Sequence, residues 1–313
     1  MKKVIFFIEG IEHLRFVEPY IKSIINTDSE IEVVSFENIF FNNIKTTLIK
    51  KKEFNTFCLN LKADYLITTT PGVGNPYFQK SKALPKTQRP KYIYIFHSLV
   101  SPNEVYSKKS FIGFDYIFSP NEIISRQLSY LTKKATKIFN GGYPLLTNGY
   151  YSQKELNSNK QKILIAPSWG KFNLFKNDNV LVGLIHYIGA EYEIYLRPHP
   201  MEELSTHIKN KLNNVIFDFD KDLKNLVYFD FLITDWSGIG IEYSILSKRK
   251  TLYINTIKKK RRKLSLAEKN LELIENKIRD SAGVEIEADN LSQITTYLTN
   301  DLNIYDDFYI NKI

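Results

Sequence analysis

Cysteine is almost missing from the 313 residues. Cys58 stands alone, which excludes an internal disulfide framework and a cysteine-held metal cluster, and fits a reducing compartment. Long apolar runs are missing too: no stretch approaches the roughly 20 residues needed to cross a bilayer. The start, Met1-Lys2-Lys3 and then the apolar residues 4–8, has the charge-then-apolar order of a secretory leader. It is too short for one, and Glu9 interrupts it without a small-residue cleavage site. Residues 4–8 are therefore read as a first strand, and a cytoplasmic protein is expected. There is no Walker A sequence, and Gly238-Ile239-Gly240 lacks the third glycine of G-x-G-x-x-G, so a dinucleotide fold has weak support. No recognition-helix, zinc-finger or RNP pattern accompanies the positive charge, and nucleic acid is not an expected partner.

What is present is basic and aromatic. The net charge is +9, with 43% hydrophobic and 14% aromatic residues, enough for two cores. Such a balance suits anionic partners, among them a phosphorylated substrate or an anionic lipid surface. The densest run is Lys258-Lys259-Lys260-Arg261-Arg262-Lys263. It reads either as a solvated loop or as a patch on the inner face of the cell membrane, where each cation contributes roughly 1 kcal/mol.

Along the chain, strand and helix signals alternate. Strands are predicted at 4–8, 31–36, 65–69, 92–96, 116–118 and 138–139, with helices at 14–25, 47–61 and 122–131. Residues 151–161 are polar and read as a linker. The pattern then restarts, with strands at 163–166, 192–196, 215–217, 231–234 and 251–254. Helices are predicted at 181–188, 223–229, 266–278 and 291–302. This predicts an α/β protein of two doubly wound, Rossmann-like domains, 1–152 and 153–313, facing a central cleft. Chemistry is then expected in the loops at the carboxyl ends of the strands.

The most informative stretch is 229–255. Phe231-Leu232-Ile233-Thr234 reads as a buried strand, Asp235-Trp236-Ser237-Gly238 as a turn, and the residues from Ile239 as a helix. A strand end meeting a helix N-terminus attracts phosphate through backbone N–H groups and the helix dipole. Ser237 could equally be a plain helix cap. Glu242, about a turn into the helix, can accept both ribose hydroxyls of a nucleotide, or be a solvated helix-face carboxylate; Asp235 is expected to orient the turn. Pro167-Ser168-Trp169-Gly170 offers a hydroxyl for phosphate and a ring for base stacking. Arg197-Pro198-His199-Pro200 is a stiff loop with two cationic side chains, and together these loops read as a diphosphate clamp. His97 directly follows an apolar strand; an ordinary imidazole titrates near neutrality and can act as a general base. Asp218-Phe219-Asp220 has metal-site spacing but closes an unrelated strand, so no metal and no cofactor are expected.

In order, these loops are similar to the motifs of the CDP-glycerol glycerophosphotransferase family, the teichoic-acid and capsule polymerases and primases of GT-B architecture. That family carries a donor-domain strand ending in "aPTw", a strand ending in an "HP" loop, and "ITDYSS" opening a helix with an acidic residue. This chain has Ile165-Ala166-Pro167-Ser168-Trp169, then Arg197-Pro198-His199-Pro200, then Ile233-Thr234-Asp235-Trp236-Ser237-Gly238 with Glu242. Gly142-Tyr143-Pro144 resembles the family's "GxP", and His97-Ser98 its acceptor-side histidine, usually followed by glycine. Trp236, Gly238, Glu242 and Ser98 depart from the usual residues, which bears on donor and polymer length more than on fold.

The resemblance implies transfer of a polyol phosphate, glycerol phosphate from CDP-glycerol, to a hydroxyl of a surface glycan or of a capsule or teichoic-type polymer. His97 and His199 are then the expected catalytic residues. Ser168, Arg197, Ser237 and Gly238 would bind the donor diphosphate, and Trp169 and Glu242 the nucleotide. The alternatives are a GT-B glycosyltransferase using a CMP-, UDP- or GDP-linked sugar, an epimerase or hydrolase on the same frame, and a non-catalytic binder of anionic polymer.

Overall fold

The structure is a computed structural model. It describes residues 1–73, 89–144, 160–171, 173–176, 178–199, 202, 209–210, 212, 214–219, 223–257, 264–300 and 302–304. The polar linker and the basic run at 258–263 lie outside the described residues, apart from positions 160 and 161. The chain divides into two compact units. One comprises Met1–Asn148 with Arg261–Leu271, and the other Gly149–Lys260 with Glu272–Ile313.

The first unit is built on a parallel sheet. Its strands are β1 (Lys2–Ile8), β2 (Ser29–Ser35), β3 (Lys45–Leu48), β4 (Tyr65–Thr68), β5 (Lys91–Ile95), β6 (Tyr116–Ser119) and β7 (Lys137–Asn140), in the spatial order β3-β2-β1-β4-β5-β6-β7. The central strand β1 buries every residue from Val4 to Ile8, as a strand covered on both faces requires. Its neighbours pair in register at Val4 with Ile31 and Val4 with Tyr65. Helix α1 (Ile11–Ile24) packs Val17 and Ile21 on the core, and α4 (Glu122–Leu131) starts where Asn121 Oδ1 accepts the Ile124 N–H at 2.9 Å. Between them lie α2 (Phe54–Leu59) and α3 (Pro102–Val105). The sheet reverses its winding between β1 and β4, so the carboxyl ends of those strands form the switch point where such folds bind ligands.

The second unit repeats the plan with β8 (Lys162–Ile165), β9 (Glu193–Leu196), β10 (Val215–Phe217), β11 (Phe231–Thr234), β12 (Thr251–Asn255) and β13 (Gly283–Glu287), ordered β10-β9-β8-β11-β12-β13. Every strand pairing is parallel. Its switch point lies between β8 and β11. Helices α5 (Asp178–Ile188), α6 (Ile239–Ser247), α8 (Ile274–Ala282) and α9 (Ile294–Leu298) belong to this unit, while α7 (Leu266–Lys269) falls in the first. Helix α6 lies so close to β12 that a Cβ on Gly240 would meet Tyr253 Oη at 2.7 Å; Thr251 Oγ1 donates to the Gly240 carbonyl at 2.7 Å. That glycine of the incomplete G-x-G-x-x-G therefore serves helix–sheet packing.

The two doubly wound sheets are those the alternation predicts, with four local corrections. Residues 47–61 are not one helix: Lys45–Leu48 is an edge strand, then a 3₁₀ turn leads into the six-residue α2. Residues 266–278 split into α7 and the start of α8: a Ser265–Glu268 capping box opens α7, the chain leaves helical geometry at Asn270, and it is extended at Leu273 before α8 begins. The predicted helices at 223–229 and 291–302 are a 3₁₀ turn, and a 3₁₀ turn followed by the five-residue α9. Strand β13 has no counterpart among the predicted elements. No helix among the described residues is long and apolar enough to cross a membrane.

Candidate active site

In the second unit, three loops follow β8, β9 and β11, and one carboxylate joins two of them. Asp235, fully buried, accepts the N–H of Ser168 at 2.7 Å and of Trp236 at 2.6 Å through Oδ1, and the Leu174 N–H at 3.1 Å through Oδ2. Thr234 Oγ1 donates to the Ala166 carbonyl at 2.6 Å beneath them. Ser168 and Ser237 thus sit on loops tied together at the switch point. The β9 loop joins through Trp169, whose ring centroid lies 6.0 Å from that of His199. A second carboxylate, Glu202, accepts the Gly170 N–H at 3.1 Å and Asn173 Nδ2 at 3.0 Å and pairs with Lys176, while its own N–H donates to the His199 carbonyl at 2.8 Å. Burial pushes Glu202 up, but Lys176 and the N–H donors outweigh burial and hold it below its ordinary value.

The turn after β11 has a further support. Arg279 of α8, 4% exposed, lies with its guanidinium carbon 3.7 Å from the Trp236 ring centroid and 4.3 Å from that of Tyr253. It donates to the Asp235 carbonyl at 2.5 Å and to Asn255 Oδ1 at 2.8 Å. Gly238, not Ser237, is the N-cap of α6, and Ser237 Oγ makes only a long contact of 3.5 Å with the Ile239 N–H. Glu242 stands half-buried in the first turn of α6.

Arg197 is paired with a carboxylate. Its Nε and Nη2 donate to Asp218 Oδ2 at 3.1 and 2.7 Å, and its side chain is 9% exposed. The cause is register: Leu196 of β9 pairs with Phe217 of β10, which brings the two following residues side by side. Two of the fork's nitrogens are thus engaged by a carboxylate that ties the β9 loop to the end of β10. The same pair engages Asp218 of the Asp218-Phe219-Asp220 sequence; Asp220 lies outside the described residues.

In the first unit, His97 lies two residues beyond β5, half-buried beside the switch point. Its ring packs on His13 at 5.0 Å, Phe16 at 5.2 Å and Tyr94 at 6.4 Å between centroids. Tyr143, of the Gly142-Tyr143-Pro144 turn, donates from its hydroxyl to the His97 carbonyl at 3.4 Å. Burial, then the neighbouring His13 and Arg15, push the His97 imidazole down to about 3, so the near-neutral titration expected of an ordinary histidine is corrected. At neutral pH the ring is uncharged. His13 went unnoticed in the sequence although it follows the first strand, the same rule that singled out His97. Glu202 and Arg279 carry no local signature. Among the described residues no group of three His, Cys, Asp or Glu stands together as a metal site.

Two parallel sheets with loop clusters at their switch points define a GT-B-type fold. The wall teichoic acid polymerase TagF has this fold at TM-score 0.63 and 16% identity, covering 99% of this chain and 82% of that one. The S. aureus MnaA–UDP co-structure matches at TM-score 0.63 and 15% identity, over 99% of this chain and 94% of that one. Residues 33–265 match the CDP-Glycerol:Poly(glycerophosphate) glycerophosphotransferase family, and the chain belongs to it. The teichoic acid glycerol-phosphate primase of Bacillus subtilis (strain 168) is 26% identical over 271 residues, 75% of this chain and 68% of that protein. The protein is therefore a transferase of the CDP-glycerol-dependent class.

Proposed function

We propose that the enzyme moves glycerol phosphate from CDP-glycerol to a hydroxyl of a teichoic-type or capsule polymer, with His97 as general base. The acceptor hydroxyl gives its proton to His97 as its oxygen bonds to the distal phosphorus. The bond from that phosphorus to the bridging oxygen breaks, and CMP leaves. Ser168, His199 and the backbone at Ser237-Gly238 hold the departing phosphate, Trp169 stacks on the base, and Glu242 receives the ribose. Rate then comes from positioning and charge neutralisation, as is usual in phosphoryl transfer.

The observation that carries this reading is the Asp235 carboxylate, which ties the Ser168 and Ser237 loops together at the second sheet's switch point. A ligand with one compact anionic group suits such a convergence better than a polymer bound along a surface. The test is transfer of label from CDP-glycerol by His97→Ala. Loss of about 10²–10⁴-fold in kcat with the donor KM held supports the base; parental turnover removes it. Release of CMP, and no turnover of UDP- or GDP-sugars, separates this reading from a glycosyltransferase. A station on the anionic inner leaflet belongs to the same proposal. The cations of 258–263 would each contribute about 1 kcal/mol there, and sedimentation with phosphatidylglycerol but not phosphatidylcholine vesicles checks it.

A further inference from the structure

We propose that His13 is a positioning residue for His97, and that the two imidazoles work as a pair carrying one proton at most. The inference rests on reading His97 as the base. Its grounds are geometric. His13 stands in the first turn of α1, directly after β1, and Thr69 directly follows β4, so the switch point of the first sheet brings them together. His13 Nδ1 lies 3.0 Å from Oγ1 of the fully buried Thr69, which fixes the ring. That ring meets His97 edge to face, at 5.0 Å and 69°. His97 is held from the other sides by Phe16 and Tyr94, and its buried Nδ1 has no hydrogen-bond partner among the described residues.

Two imidazolium charges this close repel strongly when partly removed from water. A proton on either ring opposes a proton on the other, and the pair titrates as a unit. The surroundings decide where the first proton rests. Burial is the largest influence on His13 and, with Arg15, holds it below its ordinary value, but Glu12 from α1, Glu9 from the turn before it and Glu37 from the loop after β2 favour charge there and offset part of that. Around His97 the Ile95 carbonyl favours charge, but burial, His13 and Arg15 oppose it more strongly. Tyr94 and Thr70 complete the surroundings, with Thr70 Oγ1 donating to Glu9 at 3.2 Å. The first proton therefore belongs to His13, and with it in place His97 can no longer take one from the acceptor. Neutral His13 leaves His97 competent; charged His13 silences it.

The test is the pH profile of kcat in CDP-glycerol transfer. His13→Asn keeps a polar atom for Thr69 but cannot titrate. The acid limb should move at least one pH unit lower than in the parent, an effect that loss of packing would not produce. Thr69→Val removes the tether while preserving shape, and should lower kcat by about 10–100-fold with the donor KM unchanged. An acid limb that stays in place in His13→Asn overturns the proposal, and so does parental kcat in Thr69→Val. His97→Ala keeps the two readings apart. If it is inactive while His13→Asn retains the parental profile, the base stands and the pair falls; if it turns over like the parent, the base itself is wrong.

Discussion

Removing the Asp235 carboxylate should unfasten the nucleotide side of the site in a graded way. Its Oδ1 accepts two backbone N–H groups, at 2.7 and 2.6 Å, and Oδ2 a third at 3.1 Å, all with the side chain fully buried. Asp235→Asn can keep the two bonds to Oδ1 but turns an NH₂ toward the Leu174 N–H. One bond is lost and one buried donor is stranded, a cost of about 1–3 kcal/mol. Asp235→Ala strands all three donors and should cost about 3–5 kcal/mol, near the upper end for a single substitution. Urea unfolding followed by tryptophan fluorescence is the suited assay, because Trp169 and Trp236 are the only two tryptophans and both lie in the loops this carboxylate touches. An alanine variant within about 1 kcal/mol of the parent would refute the claim that Asp235 joins these loops.

Other outcomes follow from neighbouring contacts. Arg197→Met takes the guanidinium fork away from the half-buried Asp218 carboxylate and should cost about 1–3 kcal/mol; in a double-mutant cycle Asp218→Asn should recover part of that, whereas independent losses would show that the pair is not coupled. Arg279→Lys keeps the charge but loses the fork and the two-ring stack, and should raise the donor KM more than it lowers kcat. Glu202 is held below its ordinary value, so its stabilisation is fully present above the unfolded carboxylate pKa of about 4.3 and is lost as pH falls through its folded value. Glu202→Gln should therefore flatten the acid side of a stability-versus-pH curve; an unchanged slope would contradict this. Turnover should persist in excess chelator, and activity abolished by chelation and restored by a divalent ion would overturn the expectation of a metal-independent enzyme.

The buried strands were readable because a strand covered on both faces is an unbroken apolar run, as in β1 and β11. Of the four edge strands, β7 and β10 were readable but β3 and β13 were not: β3 is Lys-Thr-Thr-Leu, with none of its residues buried, and nothing in it distinguishes a strand from the polar face of a helix. Helix α7 was hidden in a continuous helical pattern that the chain breaks between Asn270 and the extended Leu273. The loops Pro167-Ser168-Trp169, Arg197-Pro198-His199 and Asp235-Trp236-Ser237 stood out because each follows a strand, which is where such folds bind ligands. What the sequence does not display is which loop residues touch one another. Arg197 meets Asp218 only through the β9–β10 register, and Arg279 reaches the Asp235 turn from an element 44 residues away. His13 is legible by the same rule as His97, since it follows the first strand.

The most direct measurement is a structure of the enzyme with CDP-glycerol bound. The donor diphosphate should lie within hydrogen-bonding reach of Ser168, His199 and the backbone at Ser237-Gly238, with the cytosine against Trp169. A diphosphate that touches none of these loops would contradict the assignment of the second unit as the donor site.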